Sequence, residues 1–361
     1  MTEQPGQEAG TVWAKGPEDL DWPALRRYLA SKGIMLDLSE PPKRCAGGLA
    51  NLNFEVIVDN QRAILRRAPH GPLPKGAHDM VREHRVLSRL PAAFPLAPRS
   101  FHLCKDPAVL GAPFQLIEFR PGRVLRGDDP GTLAPCEDLP GGLCTLFSDT
   151  MARLHSVDPN RCDLSDLSRP AGFASRNAAR WSNAAIDICA GTEDAKLADE
   201  VAGQVATLFE GWNDAAPAIL HCDIKLDNLI LAENKLAPVA LLDWDMATLG
   251  EPLFDLATLL SYWTEPGDPE VMHQLGQMPT GQPGYPSRAE MAVAYAEATG
   301  RSLDRLPQLR ALCQLKLAVV FLQLHARWRD GALGDARYAG FGDLGIGLLR
   351  HARDVAAGRS D

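Results

Sequence analysis

The sequence predicts an α+β protein of two lobes, a small antiparallel β-sheet lobe with one key helix followed by a larger, mostly helical lobe. Three observations predict it. Asn53 to Val58 alternates around Phe54, Val56 and Val58, turns at Asp59-Asn60 and returns through Ala63, Ile64 and Leu65, the pattern of a hairpin. Helical periodicity dominates from about 143 to 215 and from about 252 to 350. A compact β-like block, Ile219 to Asp245, separates those two stretches.

Taken in order, residues 1 to 18 are rich in Gly, Glu, Gln and Pro and are expected to form a flexible tail. Trp22 to Leu29 reads as a short helix. After the hairpin, a Pro/Gly-rich loop runs from Pro69 to Gly76. His78 to Leu90 reads as a helix, with Met80, Val81, Leu87 and Leu90 near helical spacing and Pro91 ending it. Two more strands are expected at Ser100 to Cys104 and Pro113 to Phe119. Pro121-Gly122 marks a hinge. The expected division is therefore tail 1–18, N-lobe 19–120 and C-lobe 121–361.

The 361 residues are 45% hydrophobic and 23% charged, a composition that excludes a mostly disordered or fibrous chain. The net charge of −9 lacks the basic footprint of a nucleic-acid binder, so no nucleic-acid partner is expected. It leaves room for an anionic substrate on a local basic site. Met1 to Gly10 has no apolar leader core, and the apolar stretch Leu317 to Ala326 is too short to span a bilayer. A cytoplasmic protein with no membrane partner is expected. The eight Cys include no Cys-x-x-Cys pair, so reduced thiols are expected and zinc is not.

The chemistry concentrates in 219–231 and 239–245. His221, Asp223, Lys225 and Asn228 sit between apolar runs, and Asp243 follows fifteen residues after Asn228. Apolar flanks pin such a loop in a core while its polar side chains project into a site. Phosphoryl transfer from ATP asks for this set: one carboxylate to orient an acceptor hydroxyl and take its proton, and an Asn and a second carboxylate to hold Mg²⁺.

His221-x-Asp223-x-x-x-x-Asn228, then Leu-Leu-Asp243-Trp-Asp245, then Leu249-Gly-Glu-Pro252 and Asp255-Leu-Ala257, resembles the aminoglycoside phosphotransferase/choline kinase superfamily, which has a protein-kinase-like bilobal fold. The Asp-Phe-Gly and Ala-Pro-Glu of protein kinases are absent. The resemblance implies an ATP- and Mg²⁺-dependent phosphotransferase acting on a small-molecule hydroxyl. It implies Asp223 as catalytic base, Asn228 and Asp243 as Mg²⁺ ligands, and Lys225 as the charge that neutralises the transferring group. His221 would pack the loop, Asp255 would tie down its backbone, and Asp245 would support the site.

On the nucleotide side, Gly47, Gly48 and Asn51 resemble the family's phosphate-covering turn, although a Gly-Gly hairpin turn reads equally well. Arg66 stands where kinase-like folds place a strand lysine; it or Lys75 would grip phosphate. Glu83 resembles the carboxylate that pairs with that cation. The backbone of Glu118, Phe119 and Arg120 resembles the hinge that binds an adenine edge.

Gly172-Phe-Ala-Ser-Arg176 followed by Arg180-Trp181, with Pro69-His-Gly-Pro-Leu73 and Arg82-Glu-His-Arg-Val-Leu87, resembles the branch whose kinase-like domain is fused to some acyl-CoA dehydrogenases. That branch implies a hydroxyacyl-CoA acceptor, with Arg176, Arg180 and Trp181 as substrate residues. An aminoglycoside kinase and a nucleotide-binding pseudoenzyme are the alternatives. His155 is expected to pack rather than react. Gly340-x-Gly342-x-x-Gly345 spells a dinucleotide fingerprint, which needs a preceding strand and a βαβ unit, but only 16 residues follow Gly345.

Overall fold

The computed structural model describes residues 20–45, 51–68, 79–126, 138–169 and 171–359. They form two units: the described residues through Leu125 together with Asn228–Ala247, and Arg126–Asp227 together with Thr248 onward. The division thus falls at 125 rather than 120. The segment Asn228–Ala247, expected in the C-lobe, groups with the first unit. The expected tail lies outside the described residues.

The first unit opens with α1 (Trp22–Ser31), whose N-terminus is capped by the Asp21 carboxylate accepting the Ala24 N–H. Short strands β1 (Leu36–Asp37) and β2 (Lys43–Arg44), not anticipated from the sequence, both pair with β3 (Leu52–Val58). The hairpin from β3 to β4 (Gln61–Arg67) closes on Val58↔Gln61. Asp59 and Asn60 take φ of 49° and 62°, the left-handed pair that a two-residue hairpin requires and that Asp and Asn tolerate.

Helix α2 (Met80–Leu87) begins where the Asp79 carboxylate accepts the Val81 and Arg82 N–H groups. It is shorter than the sequence pattern suggests. It ends at Leu87, and Pro91 sits inside a separate 3₁₀ turn, Leu90–Ala92. Strand β5 (Ser100–Cys104), the single turn α3 (Pro107–Leu110) and β6 (Phe114–Glu118) complete an antiparallel sheet of order β1-β3-β4-β6-β5, with β2 on β3. Leu25 and Leu29 of α1 pack with Phe54, Val56, Leu65, Phe114 and Leu116 to form its core.

A second sheet of the first unit joins β7 (Arg123–Val124), β9 (Leu229–Leu231) and β10 (Pro238–Leu241). Glu233, Asn234 and Lys235 lie in the connection between β9 and β10. Its segment is held in this unit by the Leu241 N–H donating to Leu96 O at 2.8 Å and by the Phe94 and Trp244 rings meeting edge to face at 5.8 Å.

The second unit contains β8 (Ala218–Leu220) paired antiparallel with β11 (Thr248–Gly250), and the helices α4 (Leu139–His155), α5 (Phe173–Cys189), α6 (Ala195–Leu208), α7 (Leu253–Tyr262), α8 (Glu270–Leu275), α9 (Arg288–Thr299), α10 (Leu306–Arg329) and α11 (Phe341–Ala356). Helix α7 is apolar on almost every face and is buried from Leu253 through Ser261. Helix α10 is long and apolar enough to cross a membrane by length and composition, and 67% of that window is buried inside the fold. The glycines of the apparent dinucleotide fingerprint do another job: a Cβ on Gly345 of α11 would lie 2.7 Å from the Leu322 side chain of α10, so its small size lets these two helices approach closely.

Candidate active site

In the first unit the β4 residue Arg66 is the centre of an ion cluster. Its Nε donates to Glu83 of α2 at 2.8 Å, and its other terminal nitrogen pairs with the Asp243 carboxylate. Glu83 is 1% exposed and also accepts from Gln115 Nε2 of β6 at 2.6 Å and from the Trp244 N–H at 3.3 Å. Burial opposes the Arg66 charge, but Asp243, Glu83 and half-buried Asp245 outweigh it and hold the guanidinium above its ordinary range. Burial pushes the Glu83 carboxyl up while Arg66 draws it back.

Asp243 lies two residues beyond β10 with φ of 68°, a left-handed turn that lifts its carboxylate out of the strand direction. Next to it, the Leu242 N–H donates to the Asn228 carbonyl at 2.7 Å, so the backbones bearing Asn228 and Asp243 are bonded neighbours in one unit. Their side chains offer an amide oxygen and a carboxylate, the hard oxygen donors that suit Mg²⁺, and this donor chemistry fits the expected cation.

At the hinge, the Glu118 N–H donates to Arg99 O at 2.8 Å, which commits it to the β5 side of the sheet. Its carboxylate accepts the Arg99 N–H and pairs with Arg120 at 3.0 Å. Arg120 also reaches Pro95 O, and the Arg62 guanidinium lies 3.7 Å over the Phe119 ring. Asn51 immediately precedes β3 and is half-buried. Gly47, Gly48 and Lys75 lie outside the described residues.

The second unit carries the loop of the expected base. Cys222 has φ of 67°, and the left-handed turn is paid for by hydrogen bonds on both sides. The buried Asp255 carboxylate of α7 accepts the His221 N–H at 2.9 Å and the Cys222 N–H at 2.6 Å. The Cys222 carbonyl accepts from Lys316 Nζ of α10 at 2.8 Å. His221 Nδ1 accepts the Asp223 N–H at 3.2 Å. His155 is buried, with Nε2 3.1 Å from Asp255 and Nδ1 3.0 Å from the Tyr295 hydroxyl; an Nε2–H donated to Asp255 lets Nδ1 accept the phenol proton. Burial alone would raise the Asp255 carboxyl, but the His155 hydrogen bond and the backbone N–H of His221 hold it below the usual carboxylate range.

Asp223 itself accepts from the Tyr262 hydroxyl at 2.9 Å, and its second oxygen is 3.6 Å from Lys225 Nζ. Lys225 is also 3.6 Å from Asp227 and sits 4.9 Å above the Tyr262 ring. Tyr262, Lys316 and Tyr295 were not singled out in the sequence. For Tyr262 a spacing signal exists: it stands seven residues after Asp255, two turns along one helix face.

The proposed substrate residues lie on α5. Asp214 caps this helix by accepting the Phe173 and Ala174 N–H groups. The Arg176 guanidinium donates to the carbonyls of Ala171 and Arg169, so it fastens its own loop. Trp181 is buried, and exposed Arg180 lies 4.9 Å over its ring.

A profile of the phosphotransferase enzyme family matches residues 42–291. The chain belongs to this family. Acyl-CoA dehydrogenase family member 11 of Gallus gallus is 29% identical over 340 residues, which cover 90% of this chain and 42% of that protein. The chain thus spans about two-fifths of the length of that relative. A protein of Ralstonia eutropha JMP134 whose crystal structure carries an aminoglycoside phosphotransferase assignment superposes with a TM-score of 0.70 at 21% identity, covering 94% of this chain and 99% of that one. A thermostable mutant of aminoglycoside phosphotransferase APH(4)-Ia, in ternary complex with AMP-PNP and hygromycin B, gives a TM-score of 0.56 at 13% identity over 93% of this phosphotransferase and 99% of that chain. The α+β, kinase-like fold expected from the sequence is the fold these neighbours share.

Proposed function

We propose that this phosphotransferase moves the γ-phosphoryl group of ATP, with Mg²⁺, onto the hydroxyl of a hydroxyacyl-CoA. The observation that carries the reading is Asp223: a carboxylate on a backbone pinned by Asp255, held between a phenol and an ammonium. In this reading Asp223 orients the acceptor O–H and takes its proton as the new P–O bond forms and the bond to ADP breaks. Lys225 offsets the negative charge that collects on the moving phosphoryl group. Asn228 and Asp243 would hold the Mg²⁺, which when bound draws charge from the phosphate oxygens. Arg66, oriented by Glu83, supplies a fixed guanidinium toward the nucleotide phosphates, and residues 118–120 take the adenine edge.

The nucleotide part is supported by the AMP-PNP complex of a structural neighbour. The acceptor class is supported by the acyl-CoA name of the Gallus gallus relative and by Arg180, an exposed cation suited to an anionic thioester. The test incubates the protein with Mg²⁺-ATP and a panel of hydroxyacyl-CoA thioesters, aminoglycosides and choline-like alcohols, and reads the mass gain of one phosphoryl group. Gain on hydroxyacyl-CoA is expected. Asp223→Ala should lower transfer by about a hundredfold or more while the ATP-induced thermal shift persists. Gain confined to aminoglycosides would replace the acceptor, and nucleotide binding without transfer to any compound would mark a binding module.

A further inference from the structure

We propose that Tyr262 is a positioning residue for phosphoryl transfer, aiming the Asp223 carboxylate with its hydroxyl while its ring face holds the Lys225 ammonium. The inference rests on the reading of Asp223 as the proton acceptor.

Three features carry it. The first is the pairing itself. One aromatic side chain touches both charged groups: the hydroxyl is 2.9 Å from one Asp223 oxygen, and the ring centre is 4.9 Å from Lys225 Nζ. Lys225 in turn faces the other Asp223 oxygen at 3.6 Å. A carboxylate with each oxygen addressed by a different donor cannot rotate without losing one of them.

The second is the rigidity of the platform. Tyr262 is the last residue of α7, a helix buried along its length. The next residue, Trp263, is fully buried and donates its indole N–H to Pro286 O at 2.8 Å. Asp255, seven residues earlier on the same helix, fixes the backbone of His221 and Cys222. One helix therefore positions the loop twice, through its main chain by Asp255 and through its reacting side chain by Tyr262.

The third is protonation. Burial, and then the Asp223 charge, push the phenol well above its ordinary range, so it stays a donor wherever the enzyme works. A phenol held protonated supports the charged form of its partner and contributes no competing base.

The Asp223 side chain is 18% exposed, so water can replace a lost phenol hydroxyl and the fold should survive its removal. That separates positioning from architecture. Tyr262→Phe, Tyr262→Leu and Asp223→Asn would be compared with the wild-type chain in two assays, Mg²⁺-ATP hydrolysis with water as acceptor and transfer to a hydroxyacyl-CoA thioester, alongside thermal melting. Tyr262→Phe should lower kcat roughly tenfold to a hundredfold with KM for Mg²⁺-ATP changed by no more than about twofold. Its Tm should stay within about 3 °C of wild type. Tyr262→Leu, which also removes the ring beneath Lys225, should lower kcat further. Wild-type kcat in Tyr262→Phe beside an inactive Asp223→Asn would overturn the role of Tyr262 and leave Asp223 as the base. A kcat loss that merely tracks a falling Tm would likewise overturn it. Full activity in Asp223→Asn, or no turnover by the wild-type chain in either assay, would remove the reading and the inference together.

Discussion

The Asp255 carboxylate and the Cys222 N–H meet at 2.6 Å, and that contact holds a non-glycine residue in the left-handed conformation next to the proposed base. The same carboxylate takes the His221 N–H and the His155 ring, so one buried charge satisfies three donors.

Asp255→Asn should therefore cost about 3 kcal/mol or more, because the amide cannot accept from all three donors and brings a donor of its own into a closed site. Urea denaturation of the two proteins measures it. The pH dependence has a definite sign. The folded-state pKa of Asp255 lies below its ordinary value, so its contribution is complete above about pH 4 and is lost as pH falls through the depressed folded value. The variant should show a shallower loss of stability in acid. An unchanged acid limb would contradict the assignment of the buried charge to Asp255.

Arg66 serves two carboxylates, Glu83 and Asp243. Arg66→Met leaves nearly inaccessible Glu83 without its cation and should cost about 3–5 kcal/mol. Arg66→Lys keeps the charge but has no fork to span both partners, and should cost about 2 kcal/mol. Both variants should bind Mg²⁺-ATP more weakly, with Lys the milder. Calorimetric titration and thermal melting read the two effects separately; equal behaviour of Lys and Arg would show that the planar fork is dispensable.

Three histidines, His84, His102 and His351, resist protonation in the folded chain, each chiefly through burial. Their folded pKa values fall below the ordinary 6.5, so the unfolded chain binds more protons in the acidic range. Stability should fall as pH drops from 7 to 5. His84 is 2.8 Å from Ser100 Oγ, and His84→Gln should flatten part of that slope in melts run across the pH series. A slope untouched by this change would move the effect to the other two histidines.

Much of the fold was legible because its signals are local. The Asp59-Asn60 turn and the alternation of Phe54, Val56 and Val58 act over a few residues, and the hairpin appears where those patterns place it. The helix at α2 was overextended because the turn 90–92 continues its apolar spacing after the α-helix has ended. The two-residue strands β1 and β2 were missed because they are too short for a period to register.

The sequence alone determined the family: His221, Asp223, Lys225, Asn228 and Asp243 come in an order and between apolar runs that resemble phosphotransferases, and the family match spans them. Only the tertiary structure decided how those groups are held. Arg66 finds Asp243 across 177 residues, Tyr262 finds Asp223 across 39, and Lys316 finds the Cys222 carbonyl across 94. No periodicity encodes such pairs. They follow from which buried faces pack together, because a charge or hydroxyl enclosed by that packing must bond to whatever polar partner the fold brings within reach.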